Sequence, residues 1–261
     1  MTDIQAGSPE RFGYSWERFS ELTPEQEKQF GIWTSPMAPD DWRDLRFLDA
    51  GCGAGRNSYW PMTYGAASGV AMDLDDRSLA AARANLDRFP KVEVIRGDIY
   101  QIPFEDDFDI AFSIGVVHHL DDPAAAIAQM TKAVKPGGTV LVWLYGHENL
   151  EFYVTVLAPL RRALFSRLPL PVVRWIAWVP TLLLWLLLRV GFRPIQYLKL
   201  LVTFPFRHLH HIVFDQMLPR TSRHYRRSEA EDLLKQAGLT DVACHWVNEC
   251  SWTVIGTKPP R

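Results

Sequence analysis

The stretch Leu48-Asp49-Ala50-Gly51-Cys52-Gly53-Ala54-Gly55 decides the fold of this 261-residue chain. Residues 46–50 are typical of a buried strand, and three glycines spaced two apart follow at once. Glycine tolerates positive φ angles and has no Cβ atom, so backbone and ligand can come close together at such a turn. We therefore predict a strand, a ligand-binding glycine loop and a helix that begins near Arg56; an ordinary strand-to-helix turn is the alternative.

The spacing of these glycines separates two kinds of nucleotide site. In the dinucleotide-binding fingerprint the third glycine follows the second by three residues, and the helix packs beneath a pyrophosphate. Here Gly55 follows Gly53 by two residues, and the acidic Asp49 precedes the loop. The loop resembles motif I of the class I S-adenosylmethionine-dependent methyltransferases, whose cofactor has no phosphate to cradle.

Two further acidic residues follow predicted strands in the order that this family shows. Strand 67–73 ends in Asp73, where Rossmann-like folds hydrogen-bond the ribose hydroxyls. Strand 92–96 runs into Asp98 and Ile99, where the resemblance places an Asp at the adenine amine and an apolar side chain on the ring face. Each acid alone could be a solvated loop residue. The resemblance implies S-adenosyl-L-methionine as cofactor, with these candidate binding residues: Tyr14, Asp49, Gly51, Gly53, Gly55, Arg56, Asp73, Leu74, Asp98, Ile99 and Ser113.

Later landmarks keep the family order. They are a fourth strand (108–113), a helix with Asp122 as N-cap and Pro123 at its first position, a fifth strand (139–145), a helix begun by a capping-box pattern at Ser228, and a closing hairpin (242–247 and 251–257). The resemblance implies an α/β fold. This is a Rossmann-like, seven-stranded, mostly parallel sheet with helices on both faces and the last strand antiparallel.

We predict four parts along the chain. They are an N-terminal lid and linker (1–40), the cofactor-binding core (41–148), a basic and apolar helical insert between strands 5 and 6 (149–225), and the C-terminal helix and closing hairpin of the core (226–261). The family motifs lie in the second and fourth parts, so the insert is where we expect the substrate to be recognised.

Residues 152–214 differ in composition from the rest of the chain. They contain eight Lys or Arg residues and no Asp or Glu, whereas the remaining sequence has 20 basic and 30 acidic residues. Within them, Trp175–Leu188 holds 14 uncharged residues, which as a helix would be about 21 Å long, short of the roughly 30 Å hydrocarbon core of a bilayer. Arg174 and Arg189 bracket this run, and its tryptophans are typical of a headgroup boundary. This composition fits a membrane contact or a lipid-like acceptor as well as it fits a pocket roof or a homodimer contact, and these interpretations can hold together.

Residues 11–19 are dense in aromatic side chains and precede the predicted core. We expect Tyr14, Trp16 and Phe19 to form a lid over the cofactor, as such segments do in related enzymes; packing without ligand contact is the alternative. The prolines that follow predict an irregular linker: Pro24, Pro36 and Pro39.

Three histidines are predicted at the carboxyl edge of the sheet, where ligands bind in such folds. His118 and His119 follow the fourth strand, and His147 follows the fifth. Because imidazole titrates near neutrality, one of them is a candidate catalytic base, needed only if the acceptor must lose a proton. Packing and hydrogen bonding alone are the alternative. A second histidine group resembles a ligand cluster, but without nearby acids or cysteines no metal is expected there: His208, His210 and His211.

Composition indicates a cytoplasmic protein. The three cysteines, Cys52, Cys244 and Cys250, form neither a disulfide framework nor a zinc spacing, and residues 1–5 show no basic segment followed by an apolar run. We expect a cytoplasmic location, at the inner face of the membrane if the insert binds lipid. The loop after the fourth strand reads Ser113-Ile114-Gly115-Val116 and lacks the Pro-Pro-aromatic motif of nucleic-acid amino-methylases, so no nucleic-acid partner is expected.

The sequence therefore predicts S-adenosylmethionine-dependent methyl transfer to a small amphipathic or lipid-linked acceptor, similar to the ubiquinone and menaquinone methyltransferase group. One alternative is a soluble natural-product or sugar O- or N-methyltransferase whose insert is a lid. Another is a catalytically silent member that binds the cofactor or a partner. The full set of glycine-loop and acidic motifs argues against the silent alternative.

Overall fold

Seven strands form one sheet: β1 (Arg46–Ala50), β2 (Ser68–Asp73), β3 (Val92–Arg96), β4 (Phe108–Ile114), β5 (Val134–Tyr145), β6 (Thr240–Val247) and β7 (Ser251–Thr257). The computed structural model describes residues 8–151, 153–165 and 168–260. The strand order is β3-β2-β1-β4-β5-β7-β6. Only β7 runs antiparallel to its neighbours, β5 and β6, which confirms the predicted mostly parallel sheet and closing hairpin.

Helices lie on both faces of the sheet, as parallel strands require because each crossover must return over a face. The described helices are α1 (Pro9–Trp16), α2 (Pro24–Trp33), α3 (Arg56–Thr63), α4 (Asp76–Leu86), α5 (Pro123–Ala133), α6 (Ala158–Phe165), α7 (Leu170–Ile176), α8 (Trp178–Arg189), α9 (Gln196–Leu201), α10 (Phe206–Met217) and α11 (Arg227–Gln236).

The core has two layers because successive side chains of a strand point to opposite faces. Leu48 of β1 packs in a cluster with Ile127 of α5 and Leu234 of α11. Its neighbour Phe47 packs on the other face in a cluster with Trp60 of α3. Both β1 residues are fully buried, so the central strand is covered on both faces.

Two element boundaries differ from the prediction. Pro24 begins helix α2 and not an irregular linker: proline is well suited to a first helical position, and Gln26 Oε1 accepts a hydrogen bond from the Thr23 amide at 2.9 Å. Helix α11 begins before Ser228, and Glu229 Oε2 accepts from the Arg226 amide at 2.7 Å. The Asp122 cap of α5 is confirmed, since its Oδ1 accepts from the Ala125 amide at 3.0 Å.

The position of β1 at the centre of the sheet fixes where a ligand can bind. Strands β2 and β3 extend the sheet on one side of β1, and β4 and β5 extend it on the other. Crossovers therefore leave β1 and β4 in opposite directions, which opens a crevice at their carboxyl ends. The glycine loop follows β1 directly and lies at this switch point.

The segment between β5 and β6 contains α6 to α11, of which α6 to α10 lie within residues 149–225. Helices α7 and α8 follow each other through a turn at Ala177, and together they form the 20-residue stretch Leu170–Arg189. An 18-residue window of this stretch has a mean hydropathy of 1.7, and 17% of that window is buried. By length and composition this stretch, alone among the described residues, would suffice to cross a bilayer. This stretch is longer than the uncharged run Trp175–Leu188 identified in the sequence, because α7 already begins at Leu170.

Candidate functional site

A cavity of about 390 Å³ opens at the carboxyl ends of the central strands. Its size lies within the range of small-molecule sites. Residues from the loops after β1, β2, β3 and β4 line one part of it: Gly51, Gly53, Asp73, Leu74, Asp98, Ile99, Gly115 and Val116. Residues from α1, α2, α3, α9, α10 and the end of β5 line much of the rest, so the insert contributes directly to the cavity wall.

The glycine loop has a backbone that other residues would not adopt. Gly51 and Gly53 have φ angles of +88° and +53°. A Cβ on Gly51 would lie 2.6 Å from Val116 Cγ2, and one on Gly53 would lie 2.9 Å from the Trp16 indole. Gly55 serves packing: its φ is +74°, and a Cβ would lie 3.2 Å from the Ala82 backbone in α4. Two of the three predicted glycines therefore line the cavity, and Gly55 lets α3 and α4 approach each other.

Asp73 ties the end of β2 to the glycine loop. Its Oδ2 accepts a hydrogen bond from the Gly53 amide at 2.8 Å, and its Oδ1 accepts from the Asp75 amide at 3.0 Å. Burial raises the pKa of the Asp73 carboxyl, although these backbone donors oppose the shift. The side chain lines the cavity and presents a carboxylate there.

The third acidic position lies at the far end of this part of the cavity. Asp98 Oδ1 accepts from the Tyr100 amide at 2.9 Å, which fixes the carboxylate after β3. Ile99 follows and is buried at the same wall. The end of β3 therefore supplies one hydrogen-bond acceptor and one apolar surface side by side.

Asp49 lies beneath the glycine loop and not in the cavity lining. It is fully buried, and its Oδ2 accepts a hydrogen bond from Ser58 Oγ at 2.7 Å. Oδ1 has no hydrogen-bond partner among the described residues. Burial, with a smaller contribution from the charge of Asp73, raises the Asp49 pKa to about 7.

Ser113 and Tyr14, two further candidates, also lie outside the lining. Ser113 Oγ donates to the Ala50 carbonyl at 2.7 Å and so joins β4 to β1. Tyr14 packs edge-on against Phe214 of α10, with ring centroids 6.2 Å apart. Arg56 does line the cavity: its guanidinium lies 4.4 Å from the Trp16 ring centroid, and burial lowers its pKa to about 10.

Helix α1 covers the glycine loop through Trp16. Gly13 allows this approach, since a Cβ there would lie 1.9 Å from Asp75 Oδ1 at the start of α4. Of the three predicted lid residues, Trp16 alone lines the cavity, while Phe19 stacks on His211 with ring centroids 4.3 Å apart.

The structure separates the three predicted catalytic histidines. His119 lines the cavity, its Nδ1 lies 2.8 Å from the Thr221 carbonyl oxygen, and burial lowers its pKa to about 4. His118 is fully buried outside the lining, and burial lowers its pKa well below the usual range. His147 does not line the cavity, and its backbone amide donates to the Tyr225 carbonyl at 3.0 Å.

A histidine–carboxylate pair on α10 completes the cavity wall. His211 Nε2 lies 2.9 Å from Asp215 Oδ2, and both residues line the cavity. Burial would raise the pKa of Asp215, but His211, Ser15 and Arg56 favour the carboxylate and lower it. The spacing of four residues on one helix face was a signal for this pair in the sequence. Among the described residues, no group of three or more His, Cys, Asp or Glu is placed to hold a metal ion.

Aromatic and polar side chains surround the remaining part of the cavity. Tyr145 of β5 lies at its centre, stacks on His224 with ring centroids 5.4 Å apart, and accepts a hydrogen bond from Gln216 Nε2 at 2.8 Å. The other aromatic residues lining this part are Trp33, Trp143, Tyr153 and Tyr197. Flat apolar surface with a few fixed polar groups is suited to a ring-bearing small molecule.

Comparison with known proteins shows that this chain is similar to methyl-transferring enzymes. Residues 48–142 match the family model described as "Methyltransferase domain". A provisionally named methyltransferase of Encephalitozoon cuniculi is 28% identical over 150 residues, which cover 55% of this chain and 67% of that protein. The demethylmenaquinone methyltransferase of Renibacterium salmoninarum is 33% identical over 113 residues, covering 42% of this chain and 46% of the relative.

The fold is also found in solved structures. An O-methyltransferase family protein from Burkholderia thailandensis superposes with a TM-score of 0.60 at 13% identity, covering 99% of this chain and 64% of that one. Among several curated relatives, the aligned part spans from 25% to 67% of the relative's own length. The family-model match, residues 48–142, covers the strands and loops that build the glycine-loop part of the cavity.

Proposed function

We propose that this chain, which belongs to the class I S-adenosylmethionine-dependent methyltransferases, transfers the methyl group of its cofactor S-adenosylmethionine to a small amphipathic or lipid-linked acceptor. The observation that carries the acceptor class is the aromatic wall beside the glycine loop, to which the insert adds Tyr153 and Tyr197.

The glycine-loop part of the cavity fits this cofactor. A Cβ at Gly51 would collide with Val116 and one at Gly53 with Trp16, so only glycine lets the loop backbone lie this close to these two side chains of the cavity wall. In our proposal the loop holds the methionine part, Asp73 accepts from the ribose hydroxyls, and Asp98 accepts from the adenine amine. Arg56, at the positively polarised start of α3, supplies a cation for the carboxylate of the cofactor's methionine part.

When bound, the cofactor supplies an already activated methyl group for in-line displacement. The protein then contributes alignment and the exclusion of water. Trp16 covers the glycine loop on one side, and Tyr145 and Tyr197 enclose the acceptor part on the other. These side chains would hold the acceptor atom on the axis of transfer.

If the acceptor is a hydroxyl or an acidic carbon, it must lose a proton. Of the three histidines predicted as catalytic, only His119 lines the cavity, and its Nδ1 lies 2.8 Å from the Thr221 carbonyl oxygen. His211 is better supported as the base, because the carboxylate of Asp215 lies 2.9 Å away and stabilises the positive charge that the ring gains with a proton. We therefore propose the His211–Asp215 pair in this role.

An acceptor search tests this function. The protein is incubated with methyl-labelled S-adenosylmethionine and either a cell lipid extract or a polar metabolite extract, with Asp73→Ala as the control with weakened cofactor binding. We expect label in a product from the lipid extract. Label only in the polar extract would instead support the soluble natural-product or sugar methyltransferase, in which Tyr153 and Tyr197 act as a lid. Cofactor binding without label in either extract would support the silent member.

A further inference from the structure

Helices α7 and α8 present an apolar face to the outside of the molecule. Among the described residues, every exposed large apolar side chain other than Trp246 lies between Val156 and Val202. On α7 and α8 the most exposed are Trp175 (76%), Val179 (63%) and Leu183 (57%). A helix at the surface of a water-soluble domain normally has polar residues on this side.

The opposite side of these helices attaches them to the protein. Val173, Ala177 and Thr181 are fully buried and follow one another by four residues, so they form a narrow stripe. Val173 and Ala177 pack in a cluster with Phe214 of α10, and Thr181 Oγ1 lies 3.2 Å from His210 Nδ1. The outer face therefore cannot turn inward without breaking these contacts.

Basic residues lie in α7, at the end of α8 and in the segment after it. Arg189, Arg193 and Lys199 are exposed at the end of α8 and in the segment that follows, and Arg174 lies partly exposed in α7. Residues 152–214 contain no Asp or Glu. Two copies of the chain that met through this face would bring these cations together, whereas an anionic surface would neutralise them.

We propose that the outer face of α7 and α8 docks on one leaflet of an anionic membrane, with the exposed leucines and Trp175 in the acyl boundary and the cations at the headgroups. Helix α8 does not cross the bilayer in this arrangement, because its inner stripe stays packed on α10 and its buried histidine. The same insert lines the cavity through Tyr197, which places the docking face and the acceptor part of the cavity in one structural unit. This inference does not depend on the identity of the acceptor.

Flotation with phosphatidylcholine vesicles containing phosphatidylglycerol tests the proposal. The intact protein should float with these vesicles at low salt, and less so as salt rises, because screening weakens the cationic contribution. The variant Val179→Ser, Leu183→Ser, Leu186→Ser changes exposed side chains only and should lower the partition coefficient at least tenfold, on the order expected for losing this apolar burial. Unchanged binding of S-adenosylmethionine verifies its fold.

A charge variant and its matched control complete the test. Arg189→Gln, Arg193→Gln, Lys199→Gln should weaken flotation about a hundredfold. Arg43→Gln, Lys91→Gln, Arg96→Gln removes the same charge from exposed positions outside the insert and should have little effect. Intact protein that stays in the soluble fraction at low salt overturns the proposal. The proposal is also overturned if the intact protein is a dimer that does not bind vesicles and if the serine variant is a monomer. Neither result would affect methyl transfer measured in solution.

Discussion

Asp73 joins two elements at the residue scale, because its carboxylate accepts from the Gly53 amide while facing the cavity. Asp73→Ala should weaken S-adenosylmethionine binding by roughly 1.5–3 kcal/mol, the range for hydrogen bonds to a charged group. Titration calorimetry measures the loss. Asp76→Ala, at a side chain that is 75% exposed, is the matched control and should bind normally. Equal affinity in the Asp73 variant and the intact protein would contradict the ribose assignment.

His211 is the residue whose proposed role is purely chemical. With the acceptor fraction that takes up label, His211→Gln should lower the rate by roughly 10²- to 10⁴-fold while cofactor affinity changes little. Asp215→Asn should have a smaller effect of the same kind. His147→Gln, outside the cavity lining, is the control. A rate loss confined to His119→Gln would identify His119 as the base instead. Full rates in all variants would mean that the enzyme acts by alignment and without a histidine base.

Asp49 makes stability depend on pH. Its folded-state pKa of about 7 lies above its ordinary value of 3.8, so the folded protein holds this proton more tightly than the unfolded chain does. The stabilisation is complete below about pH 4 and is lost as pH rises toward 7. Asp49→Asn keeps an acceptor for Ser58 and cannot ionise. The intact protein should therefore lose stability from pH 5 to pH 8 relative to this variant, as measured by urea titrations of both proteins. A constant difference between their free energies of unfolding would contradict the raised pKa of Asp49.

At the element scale, α1 must lie close to α4 for Trp16 to cover the glycine loop. Gly13→Ala would place a Cβ against the Asp75 carboxylate, which the Ser78 amide holds. We expect α1 to shift and its backbone amides to exchange hydrogen faster. Cofactor affinity should fall about tenfold, which equals ~1.4 kcal/mol.

Gly31→Ala is the control for this change. No heavy atom lies within 4 Å of a Cβ at Gly31 in α2, so the substitution should be neutral or stabilise the helix by up to ~1 kcal/mol. Native affinity in Gly13→Ala would mean that α1 does not close the cofactor site.

The elements also show what local sequence can predict. The strands around Gly51 and Asp73 were predictable because strand, turn and helix signals follow one another within a few residues. The contact of Ser15 with Asp215 joins residues 200 positions apart, and no local pattern encodes it. Pro24 suggested a break, but proline also starts helices, and only the Gln26 cap distinguishes the two. The acceptor wall was hidden because Tyr197 of α9 and Tyr145 of β5 line one cavity only in the folded protein, and no local pattern joins them.

At the scale of the whole molecule, elements from both ends of the chain, α1 and the start of β7, line one cavity. Saturation with S-adenosylmethionine at about 100 times its dissociation constant should raise the free energy of unfolding by ~2.7 kcal/mol. Urea unfolding with and without the cofactor measures this, and Asp73→Ala should show a smaller gain at the same concentration. Identical midpoints for the intact protein in both conditions would contradict binding to the folded state.

The uneven distribution of charge has a consequence for how the molecule moves. Eight cations and no anions lie in residues 152–214, against 20 cations and 30 anions in the remainder, which makes the protein an electric dipole. In the field above a negatively charged surface, such a dipole experiences a torque that turns its basic end forward before any contact forms. The protein would then arrive already oriented, and this rotational guidance would reach only as far as the Debye length, about 8 Å at physiological ionic strength.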